Sequence, residues 1–242
     1  MRLDVYLAQT VKSRETARRL IKQGAVTVNG AVITKAAYDV TDEEVSYTDD
    51  TRYVSRGGLK LERALEEFGI DLNGRVCLDI GASTGGFTDC MLQHGASFVY
   101  AVDVGHDQLD PSLADDGRVR SMEGVNIRDV SRESFDKAID FIGCDVSFIS
   151  LRYVLPVASD LFDSGNGAVM LIKPQFECGR ADLGKNGIVR DASVGKRVTE
   201  EICAFAEEVG FIVKGVTLSP VKGGGKGNVT GNTEYLMHIV KR

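Results

Sequence analysis

The sequence lacks any apolar run long enough to cross a bilayer. Such a run needs about 18 to 20 residues, and none occurs in this 242-residue chain, which is 43% hydrophobic and 26% charged. The start, Met1-Arg2-Leu3-Asp4, also lacks the basic-then-apolar order of a signal peptide. These absences argue against a membrane protein. We expect a cytoplasmic protein with one large core or two unequal ones.

Cysteine pairs of the redox or metal-binding type are also missing. No CxxC motif is present, and the thiols are odd in number and widely spaced. The five cysteines are Cys77, Cys90, Cys144, Cys178 and Cys203. Their apolar surroundings predict reduced core side chains, so we expect neither a disulfide framework nor a bound metal.

A surplus of positive charge is absent from the chain as a whole but present at one end. With 29 Lys and Arg against 35 Asp and Glu, the formal net charge is −6, which normally argues against a polyanionic partner. Residues 1–35 nevertheless contain seven basic residues and only two acids. This asymmetry predicts a small basic binding end on an acidic body.

The basic end has the pattern of two short helices and a hairpin. Leucine and tyrosine recur at helical spacing in residues 3–7, and Ser13 is placed to cap a second helix that Gly24 ends. Two short alternating apolar segments then flank Asn29-Gly30, a dipeptide typical of a two-residue hairpin turn. The sequence therefore predicts a compact α+β module.

Cations recur along the exposed face of the second predicted helix. Arg14, Arg18 and Lys22 are four residues apart, opposite a buried stripe, and Lys12 precedes them. With the order of helices and hairpin, this segment closely resembles the alpha-L RNA-binding motif of a small-subunit ribosomal protein and of pseudouridine synthases. The resemblance implies an RNA-binding domain with a short connector over residues 1–54, which grips folded RNA through phosphates and shape. Lys12, Arg14, Arg18 and Lys22 are its expected RNA-binding residues.

The remainder, residues 55–242, alternates strand and helix patterns. Apolar β-rich runs occur at 76–80, 98–102, 119–122, 139–144, 168–172, 211–218 and 234–240, with helical stretches at 86–93, 150–162 and 193–209. This βαβ order predicts an α/β fold with a mostly parallel seven-stranded sheet covered on both sides. A glycine-rich connector joins the last two strands directly, which favours an antiparallel last strand.

The first predicted strand of this body opens into a glycine-rich loop, residues 81–87. Asp103, at the end of the next strand, is 22 residues beyond Gly81, a spacing typical of a nucleoside-type cofactor site in which the acid accepts ribose hydroxyls. The loop lacks the G-x-G-x-x-G spacing of dinucleotide enzymes. It matches the G-x-S-x-G pattern of hydrolases formally, with His238 as a conceivable base, but follows the first strand instead of a later one.

Charged residues stand at strand ends where an apolar core would otherwise continue. Asp145 and Lys173 end the fourth and fifth predicted strands, and Glu234 begins the last one. Because ligands bind at the carboxyl ends of parallel strands, we expect these side chains to converge on one cleft. Lys60 is a fourth candidate, and it lies in a segment where Leu59, Leu61, Leu65 and Phe68 outline a helix.

Five segments together resemble the TlyA family, often labelled hemolysin A. They are 55–61 (SRGGLKL), 78–88 (LDIGASTGGFT), 145–150 (DVSFIS), 173–177 (KPQFE) and 231–236 (GNTEYL). The resemblance implies that residues 55–242 form an FtsJ-like, class I (Rossmann-like) RNA 2′-O-methyltransferase that uses S-adenosylmethionine. It implies a catalytic tetrad of Lys60, Asp145, Lys173 and Glu234. It also implies cofactor contacts from Gly81, Ala82, Ser83, Thr84, Gly85, Gly86, Phe87, Asp103 and Asn126.

The implied chemistry needs a group that accepts a proton. A ribose 2′-hydroxyl is a poor nucleophile, so the protein must align it and take its proton, and a deprotonated lysine can do so. We hypothesise that Lys173 is this base. The resemblance suggests cytidine in ribosomal RNA as the target. Members of the family differ in having or lacking extra residues after the last strand, and the resemblance associates the short form, like this sequence with Arg242 directly after its last strand, with large-subunit RNA alone.

Two other functions compete with methyl transfer. The family label suggests a membrane-acting cytolysin, but the sequence shows no long helix with one basic and one apolar face. A non-catalytic protein that binds ribosomal RNA during assembly is the second alternative, and it leaves the tetrad unexplained.

Overall fold

The computed structural model describes residues 1–11, 13–22, 24–47, 52–184, 187–223 and 231–242. It divides into two compact units, one of Met1–Thr51 with Gly223–Asn232 and one of Arg52–Lys222 with Thr233–Arg242. Across the described ranges, no helix combines the length and the apolar character that a membrane span requires.

The first unit contains two helices and a small antiparallel sheet. Its elements are α1 (Leu3–Leu7), α2 (Arg14–Lys22), β1 (Val26–Val28), β2 (Ala31–Val32) and β3 (Val45–Tyr47). Ser13 caps α2 as predicted, because its Oγ accepts a hydrogen bond from the Thr16 N–H at 3.0 Å. The predicted hairpin is confirmed by the pairing of β1 with β2. Strand β3, which the sequence analysis did not predict, pairs with the other side of β1.

The second unit is built on a seven-stranded sheet. Its strands are β4 (Val76–Ile80), β5 (Phe98–Asp103), β6 (Val119–Glu123), β7 (Phe141–Cys144), β8 (Gly167–Ile172), β9 (Phe211–Leu218) and β10 (Tyr235–Lys241). They lie in the order β6-β5-β4-β7-β8-β10-β9. Strand β10 pairs antiparallel with both of its neighbours, β8 and β9, and the other pairs between these seven strands are parallel. The predicted α/β class, with a mostly parallel sheet and an antiparallel last strand, is therefore confirmed.

Helices cover both faces of this sheet. They are α3 (Gly57–Phe68), α4 (Gly86–Gln93), α5 (Pro111–Ala114), α6 (Leu151–Leu161), α7 (Pro174–Glu177) and α8 (Ala192–Glu208). One core cluster contains the apolar faces of α6 and α8, and the other contains those of α3 and α4. Every residue of β7 and β8 is buried, which explains their unbroken apolar sequences. The carboxyl ends of these two central strands carry the polar residues that matter below.

The cysteines are free thiols. Cys77, Cys90 and Cys144 are buried, and burial raises the pKa of the Cys77 thiol to about 12. Cys178 and Cys203 are only partly covered. The structure thus agrees with the predicted reduced thiols but places two of the five at the margin of the core.

Candidate active site

The sheet topology brings the polar strand ends together. Asp145 directly follows β7, and Lys173 directly follows the neighbouring parallel strand β8. Strand β10 runs antiparallel to β8 with Tyr235 opposite Ile172, so Glu234 lies across from Lys173. Residues distant in the chain therefore meet because strand order and register place them at one edge.

Four of the predicted side chains form a continuous ionic cluster. Lys60, in the first turn of α3, donates to Asp145 Oδ2 at 3.0 Å and to Glu234 Oε2 at 2.9 Å. Lys173 Nζ lies 2.6 Å from Asp145 Oδ1. Asp145 thus bridges the two lysines. The structure brings Lys60, Asp145, Lys173 and Glu234 together, as the sequence analysis expected of the strand-end residues.

The cluster is buried and its charges balance. Lys60 and Lys173 are each 8% exposed, and Glu234 is 2% exposed. Burial alone would lower the pKa of Lys60, but Asp145 and Glu234 raise it above its ordinary value. Burial likewise acts to raise the pKa of Asp145, yet the two lysines lower it overall. Lys60 is therefore held as a cation by two carboxylates, which makes it a poor base.

The environment of Lys173 differs from that of Lys60. Lys173 forms an ion pair with one carboxylate, and it donates a hydrogen bond, 2.8 Å long, to the neutral Oγ of Ser147. Its ammonium also lies 6.0 Å from the centre of the Phe176 ring. Ser147 is exposed, so the Lys173 side of the cluster adjoins solvent.

Two polar residues of this region were missed by the sequence analysis. They are Ser147 and Gln175, whose Nε2 donates to Glu234 Oε1 at 3.5 Å. Both lie within segments that were quoted for the family resemblance, but neither stands at a strand end. A search for charged residues at the ends of predicted strands therefore does not find them.

The glycine-rich loop packs directly against the ionic cluster. Gly81 has a φ of +82°, and a Cβ placed there would lie 2.8 Å from the carbonyl oxygen of Asp145. Only a residue without a side chain permits this approach. The backbone of the loop at Gly81 is therefore in direct contact with the backbone of Asp145 in the cluster.

Asp103 anchors this loop instead of standing free. Its Oδ2 accepts the N–H of Ser83 at 2.8 Å, and its Oδ1 accepts the N–H of Gly105 at 2.7 Å. A carboxylate oxygen has two lone-pair sites, so Asp103 can still accept further hydrogen bonds. Ser83 Oγ is also hydrogen-bonded to Gln108 Oε1 at 3.1 Å, so the loop is held in place by its neighbours.

The other predicted cofactor residues have different environments. Ala82, Gly85 and Gly86 are buried, and the Phe87 ring lies in the core. Thr84 accepts the Asp110 N–H through its carbonyl at 3.3 Å. Asn126 follows β6, and its Oδ1 accepts the Arg128 N–H at 3.1 Å. Within the loop itself, Ser83 is exposed and Thr84 is partly exposed, so these two side chains and the backbone are the polar groups that the loop can offer a ligand.

Comparison with known families decides the class of this protein. The sequence model for FtsJ-like methyltransferases matches residues 53–239. The chain belongs to the FtsJ-like methyltransferase family. A second family model, that of the S4 domain, matches residues 1–46. Membership argues against the hydrolase and dinucleotide-enzyme interpretations of the glycine-rich loop.

Full-length relatives share both parts of this FtsJ-like chain. Hemolysin A of Brachyspira hyodysenteriae is 43% identical, covering 99% of this chain and 100% of its own. The 16S/23S rRNA (cytidine-2′-O)-methyltransferase TlyA of Mycobacterium tuberculosis is 40% identical, covering 98% of this chain and 89% of its own. A solved structure of a hemolysin-named protein from Streptococcus thermophilus has 44% identity and a TM-score of 0.79, covering 100% of this chain and 88% of that one.

One buried acid of the FtsJ-like unit had no predicted role. Asp79, in β4, accepts hydrogen bonds from the Thr88 N–H at 2.8 Å and from its Oγ1 at 2.7 Å. These tie the strand to the first turn of α4. Burial raises the pKa of Asp79 to about 7. An acid inside the apolar stretch 76–80 was the available signal.

The cations of α2 in the S4-type unit share an acidic partner that the sequence analysis did not predict. Arg14 and Arg18 both turn toward the buried carboxylate of Asp4, at 3.0 and 2.9 Å. Lys22 is exposed at the end of α2, and Lys12 lies outside the described residues. Arg14 and Arg18 are exposed on one face of α2, as predicted, and both also contact a buried acid, which helical spacing does not reveal.

Proposed function

We propose that this FtsJ-like methyltransferase transfers a methyl group from S-adenosylmethionine to a ribose 2′-hydroxyl of ribosomal RNA. Residues 1–54 would bind the RNA and residues 55–242 would carry out the transfer. The observation that carries the proposal is the buried cluster of two lysines and two carboxylates beside the glycine-rich loop. The name of the Mycobacterium tuberculosis relative supports both the ribosomal RNA substrate and the cytidine 2′-oxygen.

The residues present suit a nucleoside cofactor. Gly81, with a φ of +82°, starts the glycine-rich loop directly after β4, and Asp103 retains acceptor sites for ribose hydroxyls at the end of the neighbouring strand. Backbone groups of residues 81–87 and the Asn126 amide would complete the contacts. S-adenosylmethionine supplies an already activated methyl group, so the protein has to align the substrate and remove a proton.

Lys173 is the better candidate for the base. It contacts one carboxylate and a neutral hydroxyl, whereas Lys60 contacts two carboxylates. Its Ser147 side adjoins solvent, where an RNA ribose would arrive. Lys60 and Asp145 would then be positioning residues. Lys60 keeps both carboxylates in place, and Asp145 aligns the Lys173 amine with the ribose hydroxyl, whose proton Lys173 accepts.

The test replaces Lys173 with alanine. Loss of a general base typically lowers a rate by about 10²- to 10⁴-fold, so methyl transfer to ribosomal RNA should fall by that factor while S-adenosylmethionine still binds by calorimetry. Lys196→Ala removes a lysine that is 81% exposed on α8, and this control should keep full activity. A Lys173→Ala enzyme with a near wild-type rate and intact cofactor binding would exclude Lys173 as the base.

A second measurement identifies the substrate. Mapping 2′-O-methyl groups on 16S and 23S RNA, with and without the gene, should reveal a site that depends on this protein. We expect a cytidine and propose the large-subunit RNA as its location, which would place the enzyme in the cytoplasm. Unchanged methylation of both RNAs would contradict the proposal and favour a binding role in assembly.

A further inference from the structure

A single buried carboxylate organises three arginines in the S4-type unit. The side chain of Asp4 is 0% exposed, although it is charged and lies in the short helix α1. Arg2 Nε lies 3.0 Å from its Oδ1, while Arg14 and Arg18 lie 3.0 and 2.9 Å from its Oδ2. Three guanidinium groups from two separate segments therefore meet around one anion.

The cluster carries more charge and more donors than Asp4 can satisfy. One carboxylate offsets one of three positive charges, so a surplus of two remains. A carboxylate offers about four lone-pair sites, whereas three guanidinium groups carry roughly fifteen N–H donors. The arginine side chains are 47%, 48% and 54% exposed. The unused donors of the three groups therefore face solvent beside one another.

Asp39 is a second acid that acts on Arg2. Its backbone pairs with that of Arg2, but its side chain is exposed, so water screens its charge. The surplus of the cluster is thus little reduced by the groups packed around it. Like charges held this closely favour an anion that can bridge them.

We propose that Arg2, Arg14 and Arg18 form one site for a phosphodiester group of RNA, and that Asp4 is the positioning residue that assembles it. The inference rests on the RNA-binding role proposed above for residues 1–54 and adds the partner group and its geometry. A phosphodiester matches because its two free oxygens accept paired N–H donors from guanidinium forks. Arg14 and Arg18 then act together with Arg2 as a single site.

Replacement of Asp4 separates this inference from simple charge attraction. Asp4→Asn removes a negative charge, so long-range electrostatics alone would strengthen RNA binding. If Asp4 assembles the site, binding should instead weaken, by about tenfold, because the forks lose their common anchor. The matched control is Glu15→Gln, which removes an exposed acid from the first turn of α2. This control should bind RNA equally well or slightly more tightly.

The assay is filter binding of a 23S RNA transcript to the full-length protein over a range of KCl concentrations. S-adenosylmethionine affinity, measured by calorimetry on the same samples, should be unchanged in Asp4→Asn. Because this variant could lose its fold, Arg14→Lys, Arg18→Lys and the double variant form a second series that keeps every charge. For a shared site, the double variant should weaken binding by clearly less than the product of the two single effects.

Two results would overturn the inference. One is Asp4→Asn binding RNA as tightly as Glu15→Gln, and the other is multiplicative effects of Arg14→Lys and Arg18→Lys. The proposed methyl transfer can be refuted independently of this site. A wild-type protein that binds the transcript through this site but methylates neither ribosomal RNA would contradict the enzyme assignment and leave the phosphodiester site supported.

Discussion

The contact between Gly81 and Asp145 makes Gly81→Ala the most informative substitution in the second unit. The new methyl group would lie 2.8 Å from the carbonyl oxygen of Asp145 and 3.3 Å from the Cα of Val146. These are backbone atoms, and the Asp145 N–H is itself hydrogen-bonded to the Ile80 carbonyl at 3.0 Å. Neither side of the contact can swing away as a flexible side chain would.

Two costs add in this variant. Alanine in a left-handed conformation costs about 1 to 2 kcal/mol, and Gly81 has a φ of +82°. Relief of the overlap with backbone adds about 1 to 3 kcal/mol. The free energy of unfolding should therefore fall by roughly 2 to 5 kcal/mol. Any relief also moves Asp145, which aligns both lysines, so methyl transfer per folded molecule should fall by about 10²-fold.

Gly74→Ala is a matched control because only the first cost applies to it. Gly74 has a φ of +72°, and its added Cβ would meet nothing within 4 Å. We expect a loss of about 1 to 2 kcal/mol and an unchanged rate of methyl transfer. Urea unfolding and a methyl-transfer assay on both variants measure these quantities. If Gly81→Ala lost no more stability and no more activity than Gly74→Ala, the close packing of the loop on Asp145 would be refuted.

Two further predictions concern Asp79 and Asp103. Because burial raises the pKa of Asp79 to about 7, the folded state keeps a proton that an unfolded aspartate releases near pH 4. The free energy of unfolding should fall as the pH rises from about 4 to about 7. Asp79→Asn should remove this part of the dependence, and parallel urea-unfolding slopes for variant and wild type would contradict it. Asp103→Ala frees the N–H groups of Ser83 and Gly105 and should weaken S-adenosylmethionine binding at least tenfold by calorimetry, whereas Asp115→Ala, at an exposed position, should leave it unchanged.

Sequence patterns predicted the second unit well because its strands are buried on both faces. Continuous apolar runs located β7 and β8, so Asp145 and Lys173 stood out as interruptions at their ends. That pattern does not contain distances or register. Lys60 and Glu234 are 174 positions apart in the chain, and Glu234 reaches Lys60 because β10 pairs with β8. Ser147 is a small polar residue in a loop after β7, between Val146 and Phe148, and this local sequence does not mark it as a partner of Lys173.

In the first unit, local features were predicted from the sequence, but contacts between separate helices were not. The hairpin and the cap of α2 were predicted because Asn29-Gly30 and Ser13 act within a few residues of their own position. The partner of Arg14 and Arg18 lies one helix earlier, and its burial results from how α1 packs on α2. A periodic row of cations on a helix therefore predicts which face they share but not what they contact.

The two units use the same elementary contact, a carboxylate between cations, in different proportions. Around Asp145 and Glu234, two lysines balance two acids, so the cluster can be buried and can hold an amine against a reacting group. Around Asp4, three arginines exceed one acid, so the surplus has to face water and favours a polyanion. The net charge of −6 conceals both arrangements, because what each cluster can do depends on its own ratio of cations to anions.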